Sequence, residues 1–506
     1  MEQQHKYDVI IIGSGMGGLV CANILAKEGK SVCVLEKNKQ AGGSLQTFSR
    51  DKLIFDSGVH YIGGLEKGQN LYQIFKYLGI MDGLKLEKLD EDAFDKIIIS
   101  GDDNEYVQAQ GYENFIEKLA AQFRGEKENI RRYCDKMRET CRKFPLYNLD
   151  LTDSLEEKNA VMSESAKEVI ESITSNKKLQ AVLAGNNLLY AGEGKKTPFY
   201  IHALIVNSCI ESSWKCVNGG SQIAKLLIKT LRERGGEILR HRDVKRIAAE
   251  QGKALFVETK TGEQFYADDF ISNISPVGTL SMVDGPAIKE MYRQRVKNIE
   301  NTISSFSLHI VLKEKTVPYH NYNYYYHKEG RVWDMNDYTE EDWPLGYGVF
   351  FSPSTTDSNY AESITLLCVM KYDEVKPWEH TFNTVAQESD RGEDYNNFKI
   401  RKAEQLLDVA EEKFPWLRDA IKKYYVTTPL SYRDYIGNED GSMYGFAKDY
   451  NEPLRTMVSP RTKLSNLYLT GQNLNAHGIL GTAVSGILTS ILLLKNGKIV
   501  EQIKNA

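Results

Sequence analysis

Cysteine is scarce in this chain. Only seven of its 506 residues are cysteine, an odd number, and no two of them form a Cys-x-x-Cys pair. Because the sequence also lacks a compact cluster of histidine and cysteine, it predicts no metal site. So few cysteines are typical of a protein from a reducing compartment, and we expect a cytoplasmic location.

Long apolar runs are missing as well. The leader MEQQHKYD has no clear excess of positive charge, so we predict no signal peptide. The apolar stretch over 9–37 is interrupted by glycine, asparagine and lysine, and the charge-free stretch over 478–494 is short and contains glycine, serine and threonine. Since a membrane span needs about 20 consecutive apolar residues, we predict no transmembrane helix.

Blocks of like charge and low-complexity segments are also absent. The chain has 64 Lys+Arg and 69 Asp+Glu, a net charge of −5, and its basic residues are dispersed. Nucleic-acid binding needs a basic stripe, so we expect no nucleic-acid partner. A length of 506 residues exceeds what one hydrophobic core usually supports, which favours two domains.

The first motif is VIIIGSGMGGLVCANILAKEGKSVCVLEK, over residues 9–37. It predicts a buried strand over 9–12, a helix over about 16–28 and a second strand over 31–35. The glycines between the first strand and the helix complete Gly-x-Gly-x-x-Gly, and an acid follows the second strand. This order is typical of a β-α-β unit that binds a dinucleotide.

Each part of the motif has a physical task. Gly13 permits the tight turn, Gly15 lets the backbone approach a pyrophosphate, and Gly18 allows the helix to pack on the strand. The helix N-terminus offers N–H groups to the pyrophosphate, and Glu36 is spaced to accept a ribose hydroxyl. The candidate cofactor residues here are Gly13, Ser14, Gly15, Met16, Gly17, Gly18, Glu36 and Lys37.

The next residues favour FAD over NAD. A second glycine pair, Gly42-Gly43, follows Glu36 and precedes Ser44. The arrangement resembles the flavoprotein group that contains amine oxidases, polyene desaturases and GDP-dissociation inhibitors. In that group the second pair brings the backbone close to the flavin side of FAD. The resemblance therefore implies an FAD site that includes Gly42, Gly43 and Ser44.

Two later segments return to this nucleotide site. Residues 217–273 predict a helix from Ser221 and then strands, the last of which reaches Asn273. The resemblance implies that this order of elements brings Val244 near the adenine. Residues 464–498 predict a strand over 467–470 and a helix that begins near Gly481. We expect its dipole to stabilise negative charge on reduced flavin. The candidates here are Val244, Asn273, Gly471, Gln472, Gly481 and Thr482.

Four longer segments resemble the retinol saturases, within the phytoene desaturase and carotenoid isomerase family. They cover 41–75, 199–224, 428–449 and 466–474. In one departure, the run Trp/Phe-Tyr-Pro-Arg-Gly-Gly that the resemblance leads us to expect is replaced by SWKCVNGG, which lacks the arginine. The resemblance implies an FAD-dependent oxidoreductase that acts on carbon–carbon double bonds of an apolar polyene or isoprenoid.

The resemblance also implies an α/β fold with a discontinuous, Rossmann-like FAD-binding domain of the glutathione-reductase and amine-oxidase kind. An α+β substrate domain is inserted into it. The first insert predicts helices over 112–144, and the second predicts strands over 303–312 and 363–370. The expected FAD domain covers 1–78, 215–280 and 455–506, and the expected substrate domain covers 79–214 and 281–454.

The family-like segments supply candidates for a proton donor. They are His60 and Tyr61, which follow the flavin-binding glycines, His202, and Tyr432 with Arg433. A reduction consumes electrons, yet only one complete fingerprint is present, so we expect an external electron donor or acceptor, with NAD(P)H as a candidate reductant.

Other interpretations remain open. The same fold could serve a carotenoid desaturase or isomerase, a flavin amine oxidase, or a prenyl carrier of the GDP-dissociation-inhibitor type. The tyrosine-rich row over 318–328 could line a polyene tunnel or form a strand with aromatic cross-strand pairs. Amphipathic faces on the helical insert leave peripheral membrane contact open.

Overall fold

The computed structural model describes residues 5–151, 155–385 and 387–506. Its strands are β1 (His5–Ile12), β2 (Val32–Glu36), β3 (Thr47–Arg50), β4 (Leu53–Asp56), β5 (Ile62–Gly63), β6 (Leu86–Lys88), β7 (Asp95–Ile99), β8 (Tyr106–Gln108), β9 (Ser213–Cys216), β10 (Glu237–Arg240), β11 (Val244–Glu250), β12 (Lys253–Thr259), β13 (Gln264–Ser272), β14 (Ser304–Leu312), β15 (Asn323–His327), β16 (Gly346–Pro353), β17 (Ala361–Met370), β18 (Ile421–Thr427) and β19 (Leu467–Leu469).

The α-helices of the same residues are α1 (Met16–Lys27), α2 (Asn70–Leu78), α3 (Tyr112–Gln122), α4 (Lys127–Arg142), α5 (Leu155–Met162), α6 (Ala166–Ile173), α7 (Lys177–Leu183), α8 (Phe199–Glu211), α9 (Ser221–Glu233), α10 (Pro276–Met282), α11 (Glu290–Lys297), α12 (Glu393–Glu411), α13 (Leu417–Ala420), α14 (Pro429–Ile436), α15 (Gly478–Leu494) and α16 (Lys498–Lys504).

The first large sheet has the order β10-β2-β1-β13-β12-β11, with β19 paired to β13. Its centre is parallel, because β1 runs parallel to both β2 and β13. Residues Val9–Ile12 of β1 are buried, as a central strand covered on both faces requires. The predicted β-α-β unit is therefore present, and the α/β fold class is confirmed.

Small residues allow helices α1 and α15 to pack closely on this sheet. A Cβ atom on Gly486 would come within 2.9 Å of the Gly17 carbonyl oxygen and of Val20 Cγ1. The Cys21 thiol also lies 3.3 Å from the Gly486 carbonyl oxygen. This contact explains the glycines and hydroxyl residues of the apolar C-terminal stretch. Among the described residues, no helix is long and apolar enough to cross a membrane.

The second large sheet has the order β18-β14-β17-β16-β15-β7-β8. Strands β7 and β8 come from the first predicted insert, and the other five come from the second. The two inserts join where β15 runs parallel to β7, with Asn323 opposite Asp95 and Tyr325 opposite Ile97. Distant segments of the chain therefore share one sheet.

The buried apolar residues form three clusters. One extends from Leu89 to Leu430 and includes the second sheet and the helices of the first insert. The other two cover the two faces of the first sheet. This packing supports the two-domain division, which we retain as a proposal. Val296 and Ile299 belong to a cluster of the first sheet, so the packing favours a boundary nearer residue 300 than 281.

Several elements differ in detail from the sequence predictions. Helix α15 begins at Gly478 and not near Gly481. The strand predicted after residue 236 is divided into β10 and β11, because His241 between them has φ of 57° and interrupts the extended backbone. Residues 323–327 of the tyrosine-rich row form the buried strand β15, and Tyr326 stacks on its cross-strand partner Tyr347 with ring centroids 4.7 Å apart.

We predict that Gly486→Val lowers the stability of the protein by about 1–3 kcal/mol, because the added methyl groups collide with α1 in a packed core. Chemical denaturation monitored by circular dichroism would measure the change. Leu488→Val, at a half-exposed position of the same helix, controls for the helix propensity of valine. Equal loss of stability in the two variants would contradict close packing at Gly486.

Candidate active site

A large cavity is lined by residues from both large sheets. Its empty volume is about 2510 Å³, which includes its opening to solvent. The lining comes from the loop after β1, the end of β2, the loop after β13 and the N-terminus of α15 on one side. On the other side it comes from strands β15, β16 and β17 and from α8 and α14. The cavity therefore extends from the expected nucleotide loops into the second domain.

The first glycine loop begins with a tight turn. Gly13 has φ of +91°, a conformation that favours glycine, and its N–H donates to the Leu35 carbonyl at 2.8 Å. A Cβ atom on Gly18 would lie only 2.4 Å from the Gly13 carbonyl oxygen. Helix α1 can start against the turn only because both positions lack a side chain.

Asn273 holds the glycine segments together. Its backbone N–H donates to the Ile12 carbonyl at 2.8 Å, which fixes the end of β13 beside β1. Its side chain packs tightly against three glycines. A Cβ atom added to Gly15 would lie 2.8 Å from Asn273 Nδ2. A Cβ atom added to Gly17 would lie 2.7 Å from Asn273 Oδ1, and one added to Gly471 would lie 2.9 Å from the same oxygen.

Glu36 is buried and organises the loop. Its Oε2 accepts the Ser14 N–H at 3.1 Å and the Ser14 hydroxyl at 2.5 Å, and its Oε1 accepts the Asn38 N–H at 2.7 Å. The carboxylate thus lies at the end of β2, facing the loop, as the ribose hypothesis requires. Its bonds within the protein are a second role that the sequence did not indicate.

The second glycine pair lies directly against the first loop. Gly42 has φ of +123°, and its N–H donates to the Ser14 hydroxyl at 3.0 Å. A Cβ atom on Gly43 would lie 3.1 Å from the Gly15 Cα. Lys37 continues the wall and donates from Nζ to the Asp434 carbonyl at 3.0 Å. The two glycine segments therefore form one continuous surface.

The C-terminal segment completes the cavity. Gly471 has φ of +100°, and its N–H donates to the Ser485 hydroxyl at 3.1 Å. The first turn of α15 lines the cavity, so its N–H groups without intrahelical partners lie near the cavity wall. A Cβ atom on Gly481 would lie 2.7 Å from the Ala476 carbonyl carbon, which explains the glycine there.

The structure brings the predicted cofactor residues together. All of them line this cavity except Gly18, which packs behind the turn. The lining residues among them are Gly13, Ser14, Gly15, Met16, Gly17, Glu36, Lys37, Gly42, Gly43, Ser44, Val244, Asn273, Gly471, Gln472, Gly481 and Thr482. The cavity combines glycine backbone, at positions where a Cβ atom would collide with its neighbours, with the N-termini of two helices. These features fit the binding of a pyrophosphate and a flavin.

His60 lines the cavity and stacks on Phe350 with ring centroids 4.1 Å apart and an interplanar angle of 7°. The residue as a whole is partly exposed, but its Nε2 is buried and has no hydrogen-bond partner among the residues that the structure describes. Burial, with a smaller contribution from the charge of Lys215, lowers the pKa of His60 to about 4. The imidazole is therefore neutral near pH 7 and is free to bond a ligand.

Tyr61 also lines the cavity, and its phenol belongs to a hydrogen-bonded group. Its oxygen lies 2.8 Å from Asp95 Oδ2 and 3.0 Å from the Tyr325 phenol. Asp95 is completely buried, and Asn323 Nδ2 donates to its Oδ1 at 2.9 Å. Burial raises the pKa of Asp95 to about 7, although the bonds from Asn323 and Tyr61 favour its ionised form.

The remaining catalytic candidates are placed differently. His202 is not among the residues that line the cavity; it is buried in α8, with its Nε2 2.6 Å from the Tyr133 phenol and its Nδ1 2.8 Å from the Tyr190 phenol. This geometry gives His202 a structural role in place of the catalytic one. Tyr432 does line the cavity, whereas Arg433 pairs with Asp434 at 2.6 Å behind it.

Sequence reasoning missed Asp95, Tyr325 and Phe350. Asp95 heads the apolar run of β7, and a carboxylate at the start of a buried strand was the available signal. Tyr325 lay in the tyrosine-rich row, but only strand alternation decides which tyrosine faces the cavity. Among the described residues, no group of three or more His, Cys, Asp or Glu side chains could hold a metal ion.

We predict that Glu36→Ala weakens FAD binding by about 1.5–3 kcal/mol, because the variant loses a charged acceptor for the ribose and the support of the Ser14 loop. Titration of apoprotein with FAD, followed by flavin fluorescence, measures the dissociation constant. Glu28→Ala, at an exposed position next to α1, is the matched control. An unchanged dissociation constant in the Glu36 variant would remove this carboxylate from the site.

Known proteins resemble the chain over nearly its whole length. It is 29% identical to the all-trans-retinol 13,14-reductase of Macaca fascicularis, over 97% of this chain and 86% of that protein. It is 26% identical to the chloroplastic prolycopene isomerase of Daucus carota, over 96% and 80%.

Solved structures share its fold. A putrescine oxidase bound to putrescine matches with a TM-score of 0.66 and 14% identity over 98% of this chain and 100% of that chain. A Rab GDI from Plasmodium falciparum matches with a TM-score of 0.52 and 13% identity over 98% and 99%.

The family model for flavin containing amine oxidoreductases matches residues 16–490, which include α1, the second glycine pair and the first turn of α15. The chain therefore belongs to the flavin-containing amine oxidoreductase family and is an FAD-dependent oxidoreductase.

Proposed function

We propose that this enzyme reduces a carbon–carbon double bond of an apolar conjugated polyene of the isoprenoid class. The observation that carries the proposal is the continuity of the cavity. The cavity that includes the glycine loops is also lined by aliphatic and aromatic side chains from both proposed domains, and we call this part of it the apolar branch. A flavin held by the loops would therefore share its space with a water-poor compartment that suits a long hydrocarbon.

The apolar branch is built by elements of both proposed domains. Its lining residues include Leu71, Leu188, Leu189, Leu204, Ile205, Leu367, Met443, Ile479 and Leu480. Tyr325 and Phe350 add aromatic faces from the second sheet. Aliphatic and aromatic side chains bind a flat conjugated chain through dispersion and exclude water from it.

The relatives support this substrate class. The macaque protein is named for a reaction of all-trans-retinol, and the carrot protein for the isomerisation of prolycopene. Both names concern conjugated isoprenoids. At identities below 30%, the bond that reacts and the type of reaction have to be inferred from this chain's own site. Polyene isomerisation in the same cavity is therefore our second candidate.

The chain's own residues divide the work. The N–H groups of the first glycine loop would hold the pyrophosphate, and Glu36 would bind the ribose. The first turn of α15 would stabilise the electron-rich end of the flavin. Bound FAD in its reduced form supplies a hydride. Tyr61 lines the same cavity and carries a phenolic proton. The apolar branch orients the polyene and keeps water away from the reacting carbons.

The aromatic pair beside the cavity argues against an amine oxidase cage. Tyr444 and His477 line the cavity and stack on each other, with ring centroids 4.3 Å apart and an interplanar angle of 24°. Rings in direct contact leave no space between them for an amine substrate. The intact glycine loops, in turn, argue against a carrier that does no redox chemistry.

Electrons must reach this site from outside the chain. The sequence contains one complete dinucleotide fingerprint, so a second nucleotide has no comparable loop. We propose that a reduced nicotinamide or a protein donor docks transiently to reduce the flavin. Contact with a membrane that delivers the polyene stays a prediction.

Anaerobic mixing experiments test the proposed function. We expect photoreduced enzyme to regain its oxidised flavin spectrum when all-trans-retinol or a carotenoid is added, and oxidised enzyme to be unaffected by simple amines. Chromatography of the extracted polyene would identify the reduced or isomerised product. Bleaching of the flavin by amines alone, with no response to any polyene, would refute the proposal.

We predict that Ile205→Trp blocks the apolar branch without removing FAD. The larger ring occupies cavity space that the polyene needs, so the Michaelis constant should rise at least about tenfold, as expected when apolar contacts are lost to steric exclusion. Leu255→Trp adds the same ring at an exposed position of β12 and serves as control. Unchanged kinetics in the Ile205 variant would exclude this branch as the polyene site.

A further inference from the structure

The face of the second sheet that borders the cavity carries a small polar group within an otherwise apolar surface. Tyr325 on β15 lines the cavity, and Asn323, two residues earlier on the same strand, faces the same side. Asn323 pairs with Asp95 in the parallel register of β15 and β7. The fold therefore places a carboxyl group directly behind the phenols that reach the cavity.

The distances join these groups in a chain. The Tyr61 phenol oxygen is 2.8 Å from Asp95 Oδ2 and 3.0 Å from the Tyr325 phenol oxygen. Tyr61 and Tyr325 line the cavity, whereas Asp95 does not and has no exposed surface. A proton on Asp95 can therefore reach the cavity through Tyr61.

We propose that Asp95 acts as a positioning residue that orients Tyr61 and restores its proton, and that Tyr61 is the residue that protonates the substrate. This inference rests on the proposed reduction of a polyene. The substrate double bond opens as one carbon accepts the hydride and the adjacent carbon takes the proton of the Tyr61 O–H group. The Asp95 proton then moves to the Tyr61 oxygen, and solvent reprotonates Asp95 after product release. The two electrons come from an external reduced nicotinamide or protein donor.

The environment of Asp95 shifts its carboxyl toward the neutral form, which is present below about pH 7. The groups that face it are the phenols of Tyr61 and Tyr325, the amides of Asn323 and Asn186, the Cys209 thiol and the Lys215 ammonium. Burial is the largest influence and raises the pKa of Asp95 to about 7. An ionised Asp95 would oppose the formation of a phenolate at Tyr61, whereas a protonated one can quench it.

The alternative donor in the cavity is less suitable. Burial holds the pKa of the His60 imidazolium at about 4, so this residue has no acidic proton near pH 7. Burial also raises the pKa of Tyr61 well above its ordinary value, so the phenol keeps its proton until a strongly basic carbon appears beside it. We therefore assign His60 to ligand binding and Tyr61 to proton transfer.

The sign of the pH dependence follows from the Asp95 proton. The relay needs the protonated carboxyl, which is present below the pKa and lost as pH rises through about 7. We expect the rate at which photoreduced enzyme reduces the polyene to fall across that range. In D₂O the product should carry deuterium at the carbon next to the one that accepted the hydride.

Two substitutions test the relay. Asp95→Asn preserves the shape but removes the transferable proton, and Tyr61→Phe removes the donor. Each substitution should slow the reduction of the polyene by about 10²-fold or more, which is within the range of general acid catalysis. Both variants should keep a normal FAD content. Asp95→Asn should also abolish the fall in rate near pH 7. Tyr326→Phe, on the opposite face of β15, should behave as wild type.

Infrared titration gives a readout that needs no turnover. The infrared difference between wild-type protein and Asp95→Asn should contain a protonated carboxyl band that disappears as pH rises through about 7, and this band is the Asp95 band. Asp56 is the matched control, because burial raises its pKa to about 7 as well, and Asp56→Asn should keep the Asp95 band. If Asp95→Asn does not fold, the wild-type titration and Tyr61→Phe decide the question.

The outcomes separate the two proposals. Wild-type reduction of a polyene with full rates in Tyr61→Phe or Asp95→Asn overturns the relay and leaves the proposed function intact. A carboxyl band assigned to Asp95 that is absent from about pH 5 upward also overturns it, because the group is then always ionised. A wild type that passes no electrons to any polyene overturns the proposed function and the relay with it.

Discussion

The site depends on close backbone contact around one asparagine. Asn273 lies at the end of β13, and its side chain touches the positions where Gly15, Gly17 and Gly471 lack a Cβ atom. Two of these glycines precede or open α1, and the third follows β19. Three segments from distant parts of the chain therefore meet around one side chain. Any enlargement of those glycines displaces the segments that form the cavity wall.

The second half of the cavity has a different physical character. The glycine loops present backbone N–H groups and the Glu36 carboxylate, whereas the second sheet presents apolar and aromatic side chains with few polar atoms. Those few polar atoms matter because water is scarce around them. Burial is the largest influence on the pKa values of both His60 and Asp95, and it shifts them in opposite directions, toward the neutral form of each. A neutral imidazole and a carboxyl that titrates near pH 7 follow from where the fold places them.

The sequence predicted the nucleotide half far better than the substrate half. The β-α-β unit, the glycine pair and the C-terminal helix are local patterns whose spacing carries their meaning, and the structure gathers them on one cavity. The substrate half depends on strand order, because β7, β15 and β16 are neighbours in the second sheet and bring together Asp95, Tyr325 and Phe350. Local periodicity in a sequence does not predict the order of strands in a sheet. His202 illustrates the reverse error, since a family-like segment contributed a histidine whose two nitrogens bond buried tyrosines.

The interleaved path of the chain has a consequence for biosynthesis. The first sheet needs β1 from the start of the chain, β13 from its middle and β19 from beyond residue 466, and the cavity is closed by α15. A ribosome must therefore translate past residue 494 before both helix N-termini can line the same cavity. Until then the early β-α-β unit exposes apolar surface that the C-terminal helix later covers, and such surface makes a partly folded chain prone to aggregation. The complete nucleotide cavity is therefore formed only by a chain that has been translated almost to its end.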